Sequence, residues 1–214
     1  MSKTRIKTYD KIIIESLKLF NEHGERAITT NHISAHLGIS PGNLYYHFRN
    51  KEEIVFQIFR EYEAFIREQL TPPADRAPTV DDLSRYLDAI FQGFWRFRFM
   101  FDDLPGLLSR NPQMQAEYHH FIGTELQPMM IAFLKGFQQS GFLNFEDEET
   151  IGLLAVNIWI VVKFWYAFEQ SAKPKVPISP ETGRRGARQV LALMRPYVSA
   201  DHLESFKALD ARYR

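Results

Sequence analysis

Residues 42–51 of this 214-residue chain read GNLYYHFRNK, and four side chains in that run carry groups suited to a polyanion. Tyr45 and Tyr46 each offer a phenolic hydroxyl to a phosphate oxygen and a ring edge to a thymine methyl group, while Asn43 can pair with a base edge. His47 follows them. Leu44 and Phe48 lie four apart and define an inward helical stripe, so Gly42, Asn43, Tyr45, Tyr46 and His47 fall on the remaining arc. Lys51 opens the next helix, where unpaired backbone N–H groups also favour an anion. This set suits contact with nucleic acid better than catalysis.

The flanking residues must position that arc. Thr29 and Thr30 are hydroxyl caps for a short helix whose inward stripe is Ile33 and Leu37. Ala35 is small where two helices are expected to cross closely. Gly38 suits a left-handed helix end, Ile39 plugs the turn, and Ser40-Pro41 restarts a helix with a cap and a first-turn proline. Two short helices about such a turn form a helix-turn-helix, whose second helix enters the major groove.

GNLYYHFRNKEEI resembles the recognition helix and following helix start of the TetR/AcrR family of bacterial one-component regulators. The upstream IIIESLKLFNEHGERAITTNHISAHLGIS is similar to that family's first two helices, and the likeness covers about residues 5–60. It implies that Thr30, Asn31, Ser40, Gly42, Asn43, Tyr45, Tyr46, His47 and Lys51 contact double-stranded operator DNA. Pro41 stands where many relatives carry Lys or Arg, so a basic contact is missing and base preference should differ.

Net charge is zero, yet residues 1–51 hold eight Lys or Arg against four acids, as a local phosphate-binding surface requires. Lys3, Arg5 and Lys7 sit at a helix start, where cations oppose the dipole; nearby phosphates or a frayed end would each account for them. The chain has no cysteine, which excludes disulfides and thiol chemistry and suits the cytoplasm. The N-terminus does not read as a secretory signal. The longest apolar run, Leu153–Val162, is interrupted by Asn157 and is short of the roughly 20 residues of a membrane span, so no membrane partner is expected. There is no glycine-rich phosphate loop, HExxH or GxSxG, so the chain does not read as an enzyme, and no cofactor is implied. His32 and His36 have a metal-ligand spacing, but no third ligand is near; they read as a polar face and no metal is expected.

The chain is predicted all-α. Residues 3–23 form a first helix on Ile13, Leu17 and Phe20, with Ile6 and Tyr9 before them, closed by Gly24. Asn50 caps a helix running to Leu70, and three prolines mark a linker over 71–79. Thr79 caps a helix to about Phe101, Asp103–Leu108 is a flexible break, and Pro112 opens a helix to Ser140 that Pro128 should kink near Gln127 or end as one piece there. Further helices are expected over about 146–171 and 180–197, and Asp201 caps a last short one. The predicted domains are a helix-turn-helix DNA-binding domain at 1–51, a connecting helix at 52–70, and a helical ligand-binding and dimerisation bundle at 79–214.

Most of the many aromatics of the bundle must be core. The family resemblance implies an internal pocket for a small apolar, aromatic or acyl ligand, with Phe94, Phe97, Phe101, Phe121, Met130, Asn157, Trp159 and Lys163 as candidates. Asn157 and Lys163 stand among apolar neighbours; Lys163 either pairs with a ligand carboxylate or snorkels to the rim. The helix at 146–171 is apolar all round, hence buried on every side or buried against both its own fold and a partner. The resemblance implies the second, a homodimer through about 146–171 and 180–198. The expected function is a ligand-responsive transcriptional repressor on a near-palindromic operator. The alternative is a DNA-binding activator or protein-partner-sensing regulator without a small-molecule inducer.

Overall fold

The computed structural model describes residues 7–73, 75–173 and 176–214. Lys3, Arg5 and Ile6 therefore lie outside the described residues, as do Ala74 of the first linker and Pro174 and Lys175 of the second loop. The fold is all-α: an N-terminal helix-turn-helix domain followed by a C-terminal helical domain. In chain order the helices are α1 (Thr8–His23), α2 (Thr30–Leu37), α3 (Pro41–His47), α4 (Lys51–Leu70), α5 (Val80–Arg96) and α6 (Arg98–Asp102). They continue as α7 (Leu104–Arg110), α8 (Pro112–His120), α9 (Gln127–Gln139), α10 (Glu148–Ala172), α11 (Pro180–Met194) and α12 (Leu203–Arg212). Among the described residues the extended pairing is a single antiparallel bridge, Leu143 with Val198.

The chain divides into two compact units, and the division differs from the predicted domains. Of the described residues, the first gathers those up to Ala64 together with Phe97–Ala116; the second holds those of Phe65–Arg96 and Glu117–Arg214. The predicted boundaries at 51, 70 and 79 follow the linkers in sequence. The observed ones follow packing: the helix expected to reach Phe101 breaks at Phe97, and α6 and α7 join the first unit. Phe99 lies 5.1 Å from Phe20, and the Phe99 N–H donates to Asn21 Oδ1 at 3.1 Å.

The core of the first unit comprises Ile12, Ile13, Leu19, Phe20, Ile33, Leu44, Phe48, Ile54, Ile58, Phe59, Tyr62 and Phe97. Ala35 is exposed, contrary to expectation. The small residue at the helix contact is Ser34, buried with its hydroxyl donating to the Asn31 carbonyl at 3.1 Å. The stretch expected to be a flexible break at Asp103–Leu108 is instead helical, and it buries Leu104, Leu107 and Leu108.

In the second unit α10 packs against α11, α9 and α5. Gly186 permits the close approach of α11, since a Cβ there would strike the Phe91 and Trp165 rings. The Trp165 indole N–H donates to the Thr182 carbonyl at 2.7 Å. Glu169, the buried carboxylate of α10, accepts from Arg185 at 2.5 Å, and that guanidinium holds its pKa below the usual carboxylate range. The start of α5 is a reciprocal cap. The Thr79 N–H donates to Asp82 at 2.8 Å, the Asp82 N–H to the Thr79 hydroxyl at 3.4 Å, and Arg76 clamps the same carboxylate at 2.5 and 3.0 Å. Of the two outcomes expected at Pro128, the structure has one helical piece ending there: α9 begins at Gln127. Residues Phe121–Leu126 widen into a π-helical stretch in which the Gln127 N–H reaches back to the Ile122 carbonyl. Pro128 then falls in the first turn of α9, where its missing N–H is no loss. Asp201 lies inside a 3₁₀ turn, Ala200–His202, and does not cap α12.

Helix α10 is longer than the apolar run in the sequence suggests. At 25 residues it is long and apolar enough, by length and composition, to cross a bilayer. Its inner stripe, Ile151, Leu154, Ala155, Ile158, Val162, Trp165 and Tyr166, is buried within the second unit, and Leu153, Val156, Ile160, Phe164 and Phe168 are exposed on the other side.

Candidate functional site

Helix α2 is capped by Thr29, whose hydroxyl accepts the His32 N–H at 3.3 Å. The Thr29 N–H in turn donates to His32 Nδ1 at 3.3 Å, a reciprocal cap in which an imidazole takes the place of the usual carboxylate. That bond requires Nδ1 to be unprotonated and points Nε2 outward. Gly38 ends α2 at φ 65°, a left-handed conformation that strains any residue with a Cβ. The Ser40 hydroxyl accepts the Asn43 N–H at 3.2 Å, and Pro41 occupies the first turn of α3. These caps hold the recognition helix, only seven residues long, in a fixed direction.

Of the nine residues expected at DNA, Asn31, Ser40, Gly42, Asn43, Tyr45 and Tyr46 are exposed, and Thr30 and His47 are half-buried. Tyr46 is 85% exposed and Tyr45 49%, far more than aromatic side chains of a packed unit need be. Thr30 and Tyr45 are brought together, their hydroxyls 3.0 Å apart. His47 is held by aromatic rings on both sides, Tyr9 at 6.2 Å and Tyr46 at 5.1 Å. Tyr9 itself stacks on Phe48 at 4.8 Å, and burial raises its hydroxyl pKa. His36 lies 3.2 Å from Glu15, whose carboxylate is held below its ordinary range by Lys18 and then by His36.

Lys51 requires a correction. Its ammonium does not point to solvent: it pairs with Glu25 at 2.8 Å and donates to the Glu25 and Ile28 carbonyls at 2.8 and 3.0 Å. The Lys51 ammonium thus directs its donors to Glu25 and Ile28 inside the fold. Spacing misses this because Glu25 and Lys51 approach only through the tertiary fold. The contacts that sequence reasoning missed here are those of Tyr9 with His47 and Phe48 and of Glu25 with Lys51.

The N-terminal sequence matches the model of "Bacterial regulatory proteins, tetR family" over residues 12–58, and the remainder matches the model "TetR: Bacterial transcriptional repressor" over residues 61–206. The chain belongs to the TetR family. A crystal structure of a TetR-family transcriptional regulator from Marinobacter aquaeolei VT8 is 39% identical, with a TM-score of 0.91 over 98% of this chain and 100% of that one. The Biofilm operon icaADBC HTH-type negative transcriptional regulator IcaR of Staphylococcus epidermidis is 26% identical over 196 residues, 88% of this chain and 98% of that protein. The ketosteroid transcriptional regulator KstR2 of Mycobacterium tuberculosis shares the fold, with 20% identity and a TM-score of 0.64 over 92% of this chain and 97% of that one. This TetR-family chain is a transcriptional regulator and not an enzyme.

The ligand-pocket candidates of the TetR-family chain separate into three groups. Phe97 and Phe101 are not in the second unit at all: they lie edge-on to Tyr62, at 5.6 and 5.4 Å, within the first. The helix break at Phe97 carries them there. Asn157 is exposed on the outer face of α10, because the helical period places it opposite the buried stripe. The other five belong to the interior or the inner rim of the second unit. Phe94 and Phe121 are buried, and Phe94 meets the half-buried Trp159 edge-on at 6.1 Å. Met130 borders two spaces. One is an apolar cavity of about 50 Å³ bounded by Leu83, Tyr86, Met129, Phe133 and Ile158; the other is a cleft of about 120 Å³ that it shares with Ile122 and Trp159. Lys163 is half-buried, 5.9 Å from the Tyr118 ring, and burial lowers its pKa. Burial likewise pushes the Tyr118 hydroxyl up to about 12.

Proposed function

We propose that this TetR-family regulator is a cytoplasmic repressor that binds a near-palindromic operator as a homodimer and is released by a small apolar, aromatic or acyl ligand. The observation that carries the reading is the outer surface of α2 and α3. Thr30, Asn31, Ser40, Gly42, Asn43, Tyr45, Tyr46 and His47 form a capped, polar-tipped, solvent-facing set on a helix-turn-helix, suited to phosphates and base edges together. The negative regulator IcaR, similar over nearly its full length, supports repression. The bare stripe on α10 supports dimerisation through about 146–171 and 180–198, since five large apolar side chains in one helical row are costly to leave in water.

The ligand acts by population shift. It favours an arrangement of the second unit in which two recognition helices no longer match successive major grooves, so ligand and operator oppose each other by the same factor in both directions. The apolar cavity of about 50 Å³ is far below the ~300 Å³ of a typical ligand site, so a ligand entering at that point requires Met129 and Met130 to move aside, as flexible thioether chains can. The same small volume favours a second reading, a DNA-binding regulator that responds to a protein partner and takes no small inducer.

Selection of bound duplexes from a random pool, followed by titration of the winner across salt, tests the first part. The expected winner is near-palindromic and its affinity falls steeply as salt rises. An unenriched pool from ligand-free protein would sink the operator reading. Release by a carboxylic acid and by its methyl ester, compared in wild type and Lys163→Met, tests the second part. Loss of the acid response alone places Lys163 at the ligand.

A further inference from the structure

The first unit contains an ion-pair node centred on Glu25. Glu25 lies in the 3₁₀ turn Glu25–Ala27, between α1 and α2, with its side chain only 9% exposed. One carboxylate oxygen pairs with Lys51 at 2.8 Å and the other with Arg110 at 2.8 Å. Lys51 begins α4, and its remaining donors go to the Glu25 and Ile28 carbonyls, just before the Thr29 cap of α2. Arg110 ends α7. A second carboxylate closes the ring: Asp103 accepts both Nε and Nη2 of Arg26, at 3.0 and 2.7 Å, and lies 3.8 Å from Arg110. Beside the node, the Asn111 amide donates to the Glu52 carbonyl at 3.4 Å, a second tie between the end of α7 and the start of α4.

We infer that Glu25 is a positioning residue for operator binding, fixing the start of α2, the start of α4 and the end of α7 to one point, so that α6 and α7 serve as scaffold for the DNA-facing surface. This rests on the operator-binding reading above. Three elements meet at one carboxylate that water barely reaches. A carboxylate in that setting fixes direction as well as distance, because each oxygen is committed to a different cation. With Glu25 neutralised, Lys51 and Arg110 face one another across the turn without their shared counter-charge, and the helix starts beside α3 lose their common register. Arg110 then influences DNA affinity without touching DNA.

The test uses the full chain and the duplex that the wild-type protein selects. Glu25→Gln, Arg110→Met, the double variant and Arg110→Lys are compared for duplex affinity, thermal midpoint and site-resolved amide exchange without DNA. Expected is a roughly tenfold loss of affinity in each single variant, no further loss in the double variant, and partial recovery in Arg110→Lys. Exchange is expected to quicken at the starts of α2 and α4 in Arg110→Met while the second unit keeps its protection. Wild-type affinity in Arg110→Met, losses that multiply in the double variant, or unchanged exchange at both helix starts would each overturn the inference. The exchange measurement needs no DNA, so failure of the node and failure of the operator reading give different results.

Discussion

Helices α3 and α10 both present large side chains to solvent, but of opposite kinds. On α3 the exposed rings are Tyr45 and Tyr46, which carry hydroxyls and sit among Asn43, His47 and the capping hydroxyl of Ser40. On α10 they are Leu153, Val156, Ile160, Phe164 and Phe168, with Asn157 the polar residue among them. A wet, charged partner such as DNA rewards amphipathic side chains that keep a polar tip. A dry interface with a second protein surface rewards a continuous apolar row. The contrast teaches that exposure alone does not identify a function; the chemistry of the exposed tips does.

The largest test of that contrast is a charge placed in the apolar row. Ile160→Glu should turn the dimer into a monomer in sedimentation and lower operator affinity by roughly a hundredfold or more, because two linked half-site contacts become independent. A dimer that survives this change would assign the row to some other partner. Next, Tyr46→Ala should cost about tenfold in operator affinity yet leave the unfolding midpoint and the oligomeric state unchanged, since the ring is 85% exposed. A fall in stability instead would show that the ring is packed, and α3 would lose its place in the comparison.

Asp82→Asn probes the units beneath the two surfaces. The folded-state pKa of Asp82 is depressed, first by its bond to Arg76 and then by the Thr79 cap. Its contribution is therefore present above the unfolded value of about 3.9 and lost as pH falls through the lower folded value. The variant should be roughly 1–2 kcal/mol less stable at neutral pH, and the gap should begin to narrow in unfolding curves recorded below about pH 4 and go on narrowing with further acid. Amide protection in α3 should not change, which would show that the two surfaces ride on separately stable units. The smallest effect is expected from Thr30→Val, which removes the hydroxyl 3.0 Å from that of Tyr45. A roughly threefold loss of operator affinity with the dimer intact fits a hydroxyl whose main partner is that of Tyr45.

Much of the DNA-facing surface could be read from residues close together in sequence. Thr29, Gly38, Ser40 and Asn50 each act within three or four positions of themselves, so capping chemistry was enough to locate both helices and the turn. The period of Leu44 and Phe48 was enough to turn Tyr45 and Tyr46 outward. Ala35 and Ser34 show the limit: neighbours on one helix, they are told apart only by which one the crossing helix covers.

The sequence by itself determined the all-α class, the position of the recognition helix and the apolar character of α10, because these depend on local caps and on a repeat of 3.6 residues. Tertiary structure alone decided that Lys51 turns inward to Glu25 and that Phe97 and Phe101 pack with Tyr62 in the first unit. It also decided that the apolar space among Leu83, Tyr86, Met130, Phe133 and Ile158 closes to about 50 Å³. Each of these joins residues tens of positions apart or sets the packing of several helices at once. Local periodicity fixes the direction of a side chain from its own helix axis, and only the neighbouring helices determine what meets it there.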